Sequence, residues 1–175
     1  MNISIYIATS ANGLISNNRN VPDWLSPDYE QGFYDICQRT KAVIMGKKTY
    51  DILAPDYLPL KEDGISVVLT SRTDLEPANP TVVFTRDSPA EITAMLQEKG
   101  YSEAVIIGGA IAMSAFINAG LVNEIILVVE AVLFGSGGLP LLQNVGADYK
   151  LKLVKITNAD SDTVQLHYQV LKSAE

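Results

Sequence analysis

The chain has 175 residues, 47% of them hydrophobic and 19% charged, which excludes a disordered or fibrous protein and fits one compact domain over 1–175. A formal net charge of −7 repels a phosphate backbone, so nucleic acid is excluded as a general partner and an anionic cofactor needs a local basic cluster. No run of about 18 apolar residues is present, and the opening MNISIYIATSANG has no basic start, so neither a membrane span nor a secretory signal is expected.

In chain order, Ile3 to Ala8 reads as a strand rich in β-branched residues. A long polar loop follows, with Gly13 and the Asn17-Asn18-Arg19-Asn20 run. Ser26-Pro27-Asp28 joins a cap, a proline at the first position and an acid in the first turn, and predicts a helix to about Thr40. Ala42 to Met45 is a short apolar strand ending at Gly46, and Lys47 to Leu53 a short helix. Ser66 to Thr70 and Thr81 to Phe84 read as strands. Ser88-Pro89-Ala90-Glu91 is a capping box whose helix carries Ile92, Met95 and Leu96 at core spacing and ends at Gly100. Ala104 to Ile107 is a strand running into Gly108-Gly109, with a helix from Ala110 to about Ala119. Glu124 to Val132 is a long apolar strand, and its length suggests a surface that could seal a dimer as far as Leu133. The Gly135-Ser136-Gly137-Gly138 run is a loop, and Leu151 to Ile156 with Thr163 to Leu171 alternates like a terminal hairpin. Strands and helices alternate, then a hairpin closes the chain. This predicts a three-layer α/β domain around a mostly parallel sheet with an antiparallel C-terminal edge.

The sole cysteine, Cys37, shares helical spacing with Phe33, Ile36 and Thr40 and reads as a small buried hydrophobe. One cysteine allows no internal disulfide, which fits a reducing cytoplasm. His167, the sole histidine, falls on the polar face of the last strand.

Three strand-to-loop junctions could carry chemistry. In Val43-Ile44-Met45-Gly46-Lys47-Lys48-Thr49-Tyr50 a buried strand ends at glycine and a helix opens with two lysines and a threonine. Free N–H groups, helix polarity and side-chain donors make this a phosphate site, against the alternative of a solvated turn. In Ile106-Ile107-Gly108-Gly109-Ala110 two glycines permit a tight turn and close approach of a pyrophosphate, although paired glycines also make plain turns. The pattern is not G-x-G-x-x-G, so a Rossmann site is rejected. Val67-Val68-Leu69-Thr70-Ser71-Arg72 ends in two hydroxyls and an arginine able to grip a phosphate monoester. All three junctions lie at carboxyl ends of strands, where open α/β sheets bind ligands.

Val43 to Tyr50 resembles the V-I-M-G-[KR]-x-T-[WY] signature of dihydrofolate reductases, and Ile106 to Ala110 resembles their I-G-G-[GA] turn. Ile7-Ala8 with Asn12-Gly13-Leu14-Ile15 resembles their first strand and flexible loop, and Thr70-Ser71-Arg72 their segment holding the adenosine 2′-phosphate. The resemblance follows the family's order up to about residue 140 and implies a dihydrofolate-reductase-like fold with an NADPH site. It implies that Gly46, Lys47, Lys48 and Thr49, with Thr70, Ser71 and Arg72, hold the cofactor phosphates. It further implies that Gly108, Gly109, Ala110 and Ile111 lie along the pyrophosphate and nicotinamide, and that Ala8 and Ile15 flank the ring. Asp28 is placed like the family's catalytic acid, although an aspartate in a first turn also serves the helix dipole. Glu30 is the alternative carboxylate, and Trp24 either lines the substrate site or is a core or interface aromatic.

The chain departs from folate reductases at three points. Asp63-Gly64-Ile65-Ser66 lacks their tail-binding arginine, Leu127 stands where they carry a threonine, and Asp23 separates Pro22 from Trp24. Asp23-Trp24-Leu25-Ser26 and the Leu133–Leu142 stretch instead resemble the reductase domain of riboflavin biosynthesis, the RibD C-terminal type, and its stand-alone relatives. That branch implies a cytoplasmic, NADPH-dependent homodimer that reduces 5-amino-6-ribosylaminouracil phosphate. The zinc deaminase attached in that pathway has no metal ligands here, since one cysteine and one histidine cannot supply its site. For a substrate 5′-phosphate the available cations are Arg19 and Arg39. A dihydrofolate reductase and a non-catalytic NADPH-binding module remain alternatives. The segment from Ser10 to Asn20 is expected to be mobile and to close over the nicotinamide.

Overall fold

From Ile3 onward every residue of the first strand, β1 (Asn2–Ser10), is buried, with Ile3, Ile5 and Ile7 in one core and Tyr6 and Ala8 in another. Such a strand belongs inside a sheet covered on both faces. The computed structural model, which describes residues 1–19, 21–54, 56–60, 62–77, 79–158 and 162–171, has that arrangement. After β1 come β2 (Leu14–Ser16), α1 (Pro27–Thr40), β3 (Ala42–Gly46), α2 (Lys47–Leu53), β4 (Ile65–Leu69) and β5 (Val82–Thr85). They are followed by α3 (Pro89–Glu98), β6 (Glu103–Ile106), α4 (Ala110–Asn118), β7 (Glu124–Glu130), β8 (Leu139–Pro140), β9 (Leu151–Asn158) and β10 (Val164–Val170). The main sheet has the order β5-β4-β3-β6-β1-β7-β10-β9. It is parallel from β5 to β7 and antiparallel across β7, β10 and β9.

Helices α3 and α4 cover the isoleucine face of β1 through Ile92, Leu96, Met113 and Phe116, whereas α1 and α2 cover the other face through Tyr29, Phe33, Ile36 and Tyr50. The expected three-layer α/β architecture is therefore the observed one. Ser26 caps α1 by accepting the Tyr29 N–H at 3.2 Å, and Ser88 and Glu91 form both bonds of the expected capping box on α3. Cys37 is fully buried in the second core, and burial pushes its thiol up to about 12.

Two short strands fall where loops were expected. Leu14 pairs with Pro140 and Ser16 with Leu139, which fastens β2 to β8. Gly138 makes the approach possible, since a Cβ there would lie 2.7 Å from the Ser16 carbonyl oxygen. Asn12 adds a clasp: its amide donates to the Phe134 carbonyl at 2.9 Å and its oxygen accepts the Phe134 N–H at 3.1 Å. The base of the segment thought mobile is thus tied down, and Asn20 at its far end lies outside the described residues.

The strand expected to seal a dimer has no free edge with which to do so. Strand β7 is internal, flanked by β1 and β10, so its edges are already hydrogen-bonded. Leu133, at the end of the expected stretch, is exposed, and a further row of exposed apolar side chains lies on β9: Leu151, Leu153, Val154 and Ile156, the last 58% exposed. A register shift opposite His167 and Tyr168 leaves Val154 as the extra residue of a bulge. His167, half-buried, meets Glu124 at 3.1 Å.

Candidate active site

Strands β4, β3, β6 and β1 are adjacent and parallel, so their carboxyl ends form one row, and the three junctions singled out in the sequence lie along it. The Gly46 N–H donates to the Gly108 carbonyl at 2.8 Å, which joins the first two junctions directly. A Cβ on Gly46 would come within 3.6 Å of the Gly109 nitrogen, and one on Gly108 within 3.4 Å of the Thr49 hydroxyl. Gly108 has φ +123°, open only to glycine at low cost. The bond from Gly108 to Gly109 is cis. Gly46, Thr49, Gly108 and Gly109 therefore make one floor, with the Thr49 hydroxyl and the Ile7 side chain as its nearest side-chain neighbours.

The helix starts on this floor differ from the others. Helices α1 and α3 have serine caps, whereas α2 begins at Gly46 and α4 at Gly109, and neither of these has a side-chain cap bond. First-turn N–H groups left without a capping side chain favour an anion. Ala110 is buried behind that start, and Ile111 projects, 73% exposed.

The cations of this edge are largely engaged with acids. Lys47 pairs with Asp51 one turn along α2 and lies 5.6 Å over the Tyr50 ring, while Lys48 is exposed. Arg72 grips Asp74 with two bonds, Nε at 3.0 Å and Nη2 at 2.6 Å. The Thr70 hydroxyl accepts the Arg72 N–H at 3.2 Å, which shapes the turn, and Ser71 is exposed beside it. Arg19 pairs with Asp23 at 3.1 Å. Arg39 is removed from the site: it pairs with Glu103, where β6 begins, at the opposite edge of the sheet.

Beside the glycine floor, on the α1 face, lies a mainly apolar cleft. Its lining includes Ala8, Ile15 and Trp24 together with Leu25, Tyr29 and Ile52. Trp24 also meets Phe134 edge-on at 5.0 Å, so its ring is held as well as presented. Asp28 and Glu30 are exposed in the first turn of α1, on either side of buried Tyr29, and do not line the cleft. Tyr29 stacks on Tyr6 at 5.2 Å, and the Tyr6 hydroxyl donates to the Tyr29 carbonyl at 3.1 Å. Burial, and then the charge of Glu130, raise the Tyr6 phenol, while burial and then Tyr6 raise Tyr29. Both phenols are un-ionised at neutral pH.

Sequence reasoning passed over Glu130. It ends β7, is 3% exposed, and one of its carboxylate oxygens accepts both the Ser26 N–H at 3.1 Å and the Ser26 hydroxyl at 2.9 Å. The available signal was a lone acid inside the apolar run from Ile125 to Phe134. Tyr29, Leu25 and Ile52 were read only as helix or flank residues.

The sequence profile of the RibD C-terminal domain matches residues 2–165. The chain belongs to the RibD C-terminal domain family. The uncharacterized protein YwjB of Bacillus subtilis (strain 168) is 32% identical over 170 residues, 94% of this chain and 95% of YwjB. Among solved structures, a Shewanella sp. PV-4 protein named provisionally for riboflavin biosynthesis is similar with a TM-score of 0.84 at 23% identity, over 98% of this chain and 100% of the other. A pyrimidine reductase-like protein of Corynebacterium diphtheriae gives 0.82 at 13% identity, over 98% and 92%. This RibD C-terminal domain has the dihydrofolate-reductase-like fold that its glycine junctions implied, and its family is one of reductases. Among the described residues no helix is long and apolar enough to cross a membrane.

Proposed function

We propose that this chain is an NADPH-dependent reductase that passes hydride to a small heterocyclic substrate of the 5-amino-6-(5-phosphoribosylamino)uracil type. The observation that carries the reading is the meeting of two glycine-started helices, α2 and α4, beside an apolar cleft. Such helix ends attract a pyrophosphate, and the glycines leave space for it against the backbone. Thr49, Lys47 and Lys48 bind the phosphates beside Gly46, and Gly108, Gly109, Ala110 and Ile111 run along the cofactor. Thr70, Ser71 and Arg72 take the ribose 2′-phosphate. Lys47 and Arg72 exchange their present carboxylates for phosphate oxygens, a small cost for exposed ion pairs. Ala8 and Ile15 flank the ring, and Trp24 contacts the substrate. Bound NADPH supplies the hydride. The cleft orients the two rings and keeps bulk water away. Asp28, exposed next to the cleft-lining Tyr29, or a bound water gives the proton that the reduced imine or ring-opened sugar requires.

The test is a titration with NADPH, followed by oxidation assays with dihydrofolate and with the ribosylaminouracil phosphate. Tight binding with turnover of the uracil compound is expected; turnover of dihydrofolate alone would replace the substrate, and no binding would remove the reading. Asp28→Asn is expected to lower kcat about 100-fold with NADPH affinity intact, and an untouched rate would remove Asp28 from the chemistry. Arg72→Glu is expected to erase a preference for NADPH over NADH, and an unchanged affinity ratio would reject the 2′-phosphate assignment.

The same reading makes the enzyme a cytoplasmic homodimer. Its support is the exposed apolar surface of β9. A monomer in sedimentation at micromolar concentration would overturn the assembly.

A further inference from the structure

We propose that Glu130 is a positioning residue for the substrate wall: its buried carboxylate holds Ser26 and, through it, Trp24, Leu25 and Tyr29, which line the cleft. The kinetic arm of this proposal rests on the reductase reading; the spectroscopic arm does not. Glu130 lies opposite Ser10 of β1, at the end of a strand whose preceding residues, Ile125 to Val129, are all aliphatic. A valine there would extend the core, and a buried carboxylate is costly unless charge-assisted hydrogen bonds offset its lost hydration. Both bonds it receives come from one residue, Ser26, through backbone N–H and hydroxyl. The Ser26 hydroxyl in turn accepts the Tyr29 N–H and starts α1. Trp24 and Leu25 immediately before Ser26, and Tyr29 after it, all line the cleft.

One charge thus fixes where loop becomes helix, and with it the wall the substrate meets. The helix end supplies a second reason for an anion at this place, since its partial positive charge lies at Ser26. Asp28 and Glu30 serve the same helix end from the solvent side, where both are exposed. Glu130 serves it from inside the protein, behind the cleft.

Trp24 is the chain's only tryptophan, so fluorescence excited selectively at tryptophan reports on this wall alone. Three variants decide the matter: Glu130→Gln, Glu130→Leu and Ser26→Ala, each measured for Trp24 emission, acrylamide quenching, NADPH affinity and steady-state kinetics. Glu130→Gln keeps the length and an acceptor oxygen, and is expected to leave Trp24 near its wild-type signal with KM within about 3-fold. Glu130→Leu is expected to red-shift Trp24 and raise its quenching about 2-fold, with substrate KM up about 10-fold and NADPH Kd within about 2-fold. Ser26→Ala, which keeps the N–H but loses both hydroxyl bonds, is expected to fall between them. An unmoved Trp24 in folded Glu130→Leu, or NADPH Kd rising in step with KM, overturns the proposal. If Glu130→Leu does not fold, Ser26→Ala decides, and a wild-type Trp24 signal in it overturns the proposal equally. Failure of wild-type protein to bind NADPH would remove the reductase reading while leaving the fluorescence comparison to decide Glu130.

Discussion

The parallel part of the sheet and its antiparallel end are built from similar strands but live in different surroundings. From β5 to β7 the sheet has helices on both faces, and residues such as Val43, Ile44, Val67 and Ile106 are fully buried. At the other end β9 has hydrogen-bonded company on one side only, and Leu151, Leu153, Val154 and Ile156 are all exposed. The difference teaches where the site had to form. Only parallel neighbours bring several carboxyl ends to one edge, and only there do strands run straight into helix starts. The antiparallel end contributes a surface, while Glu130, at the end of the boundary strand β7, reaches the cleft from behind.

This comparison can be broken by substitution. Phe116→Ala, in the core between α4 and the parallel sheet, is expected to cost about 3–5 kcal/mol in chemical denaturation. A loss under about 1 kcal/mol would mean that the helix-covered half is less tightly packed than its burial indicates. Gly32→Ala, inside α1, comes next. Alanine normally favours a helix, but here its Cβ would meet the Tyr6 hydroxyl, which is buried and bonded to the Tyr29 carbonyl. A net destabilisation of roughly 1–3 kcal/mol is expected, and a more stable variant would show that Tyr6 is free to move.

Alkali sharpens the same contrast, because the buried titrating groups lie under α1. The Cys37 thiol is raised by burial from 9.0 to about 12, and the Tyr6 and Tyr29 phenols are raised as well. The folded state therefore keeps protons that the unfolded chain releases. Stability from Cys37 is fully present below pH 9.0 and falls as pH climbs to about 12, by roughly 1 kcal/mol per unit. Cys37→Ala should flatten that slope in melts between pH 9 and 11; an identical slope would exclude the thiol as its source. The smallest effect belongs to β9. Ile156→Ala is expected to cost no more than about 0.5 kcal/mol at concentrations where the chain is monomeric and more where it is dimeric, and a loss that does not change with concentration would remove β9 from the assembly.

Most of the fold was legible because long segments carried two agreeing signals. Ser26 and Ser88 announced α1 and α3 by cap chemistry as well as periodicity, and the structure contains both caps. The glycine junctions were legible for the same reason: Gly46 and Gly109 each stand where an apolar strand stops and a helix starts. The pairing of β2 with β8 was not, since strands of three and two residues are too short to show an alternation. It depends on Gly138 and on the Asn12 side chain, distant in sequence from one another. The i,i+4 spacing of Lys47 and Asp51 did carry their pairing, but spacing could not reveal that Arg72 holds Asp74 across a turn or that Arg39 lies at the wrong edge, because those facts depend on where side chains and helix ends finish. Glu130 was hidden by its company: a strand read for hydrophobicity conceals its one acid.

The Asn12 amide makes with Phe134 the same donor and acceptor pair that a neighbouring strand would make. A side chain here does the work of a peptide group, so two loops are joined without either having to extend. The stretch from Gly135 to Gly138 is consequently a closed bight, pinned at Phe134 on one side and at Leu139 on the other. The closed end of this bight rests on the cleft wall, since Gly138 packs against the carbonyl of the cleft-lining Ser16, so the turn admits no side chain at that position.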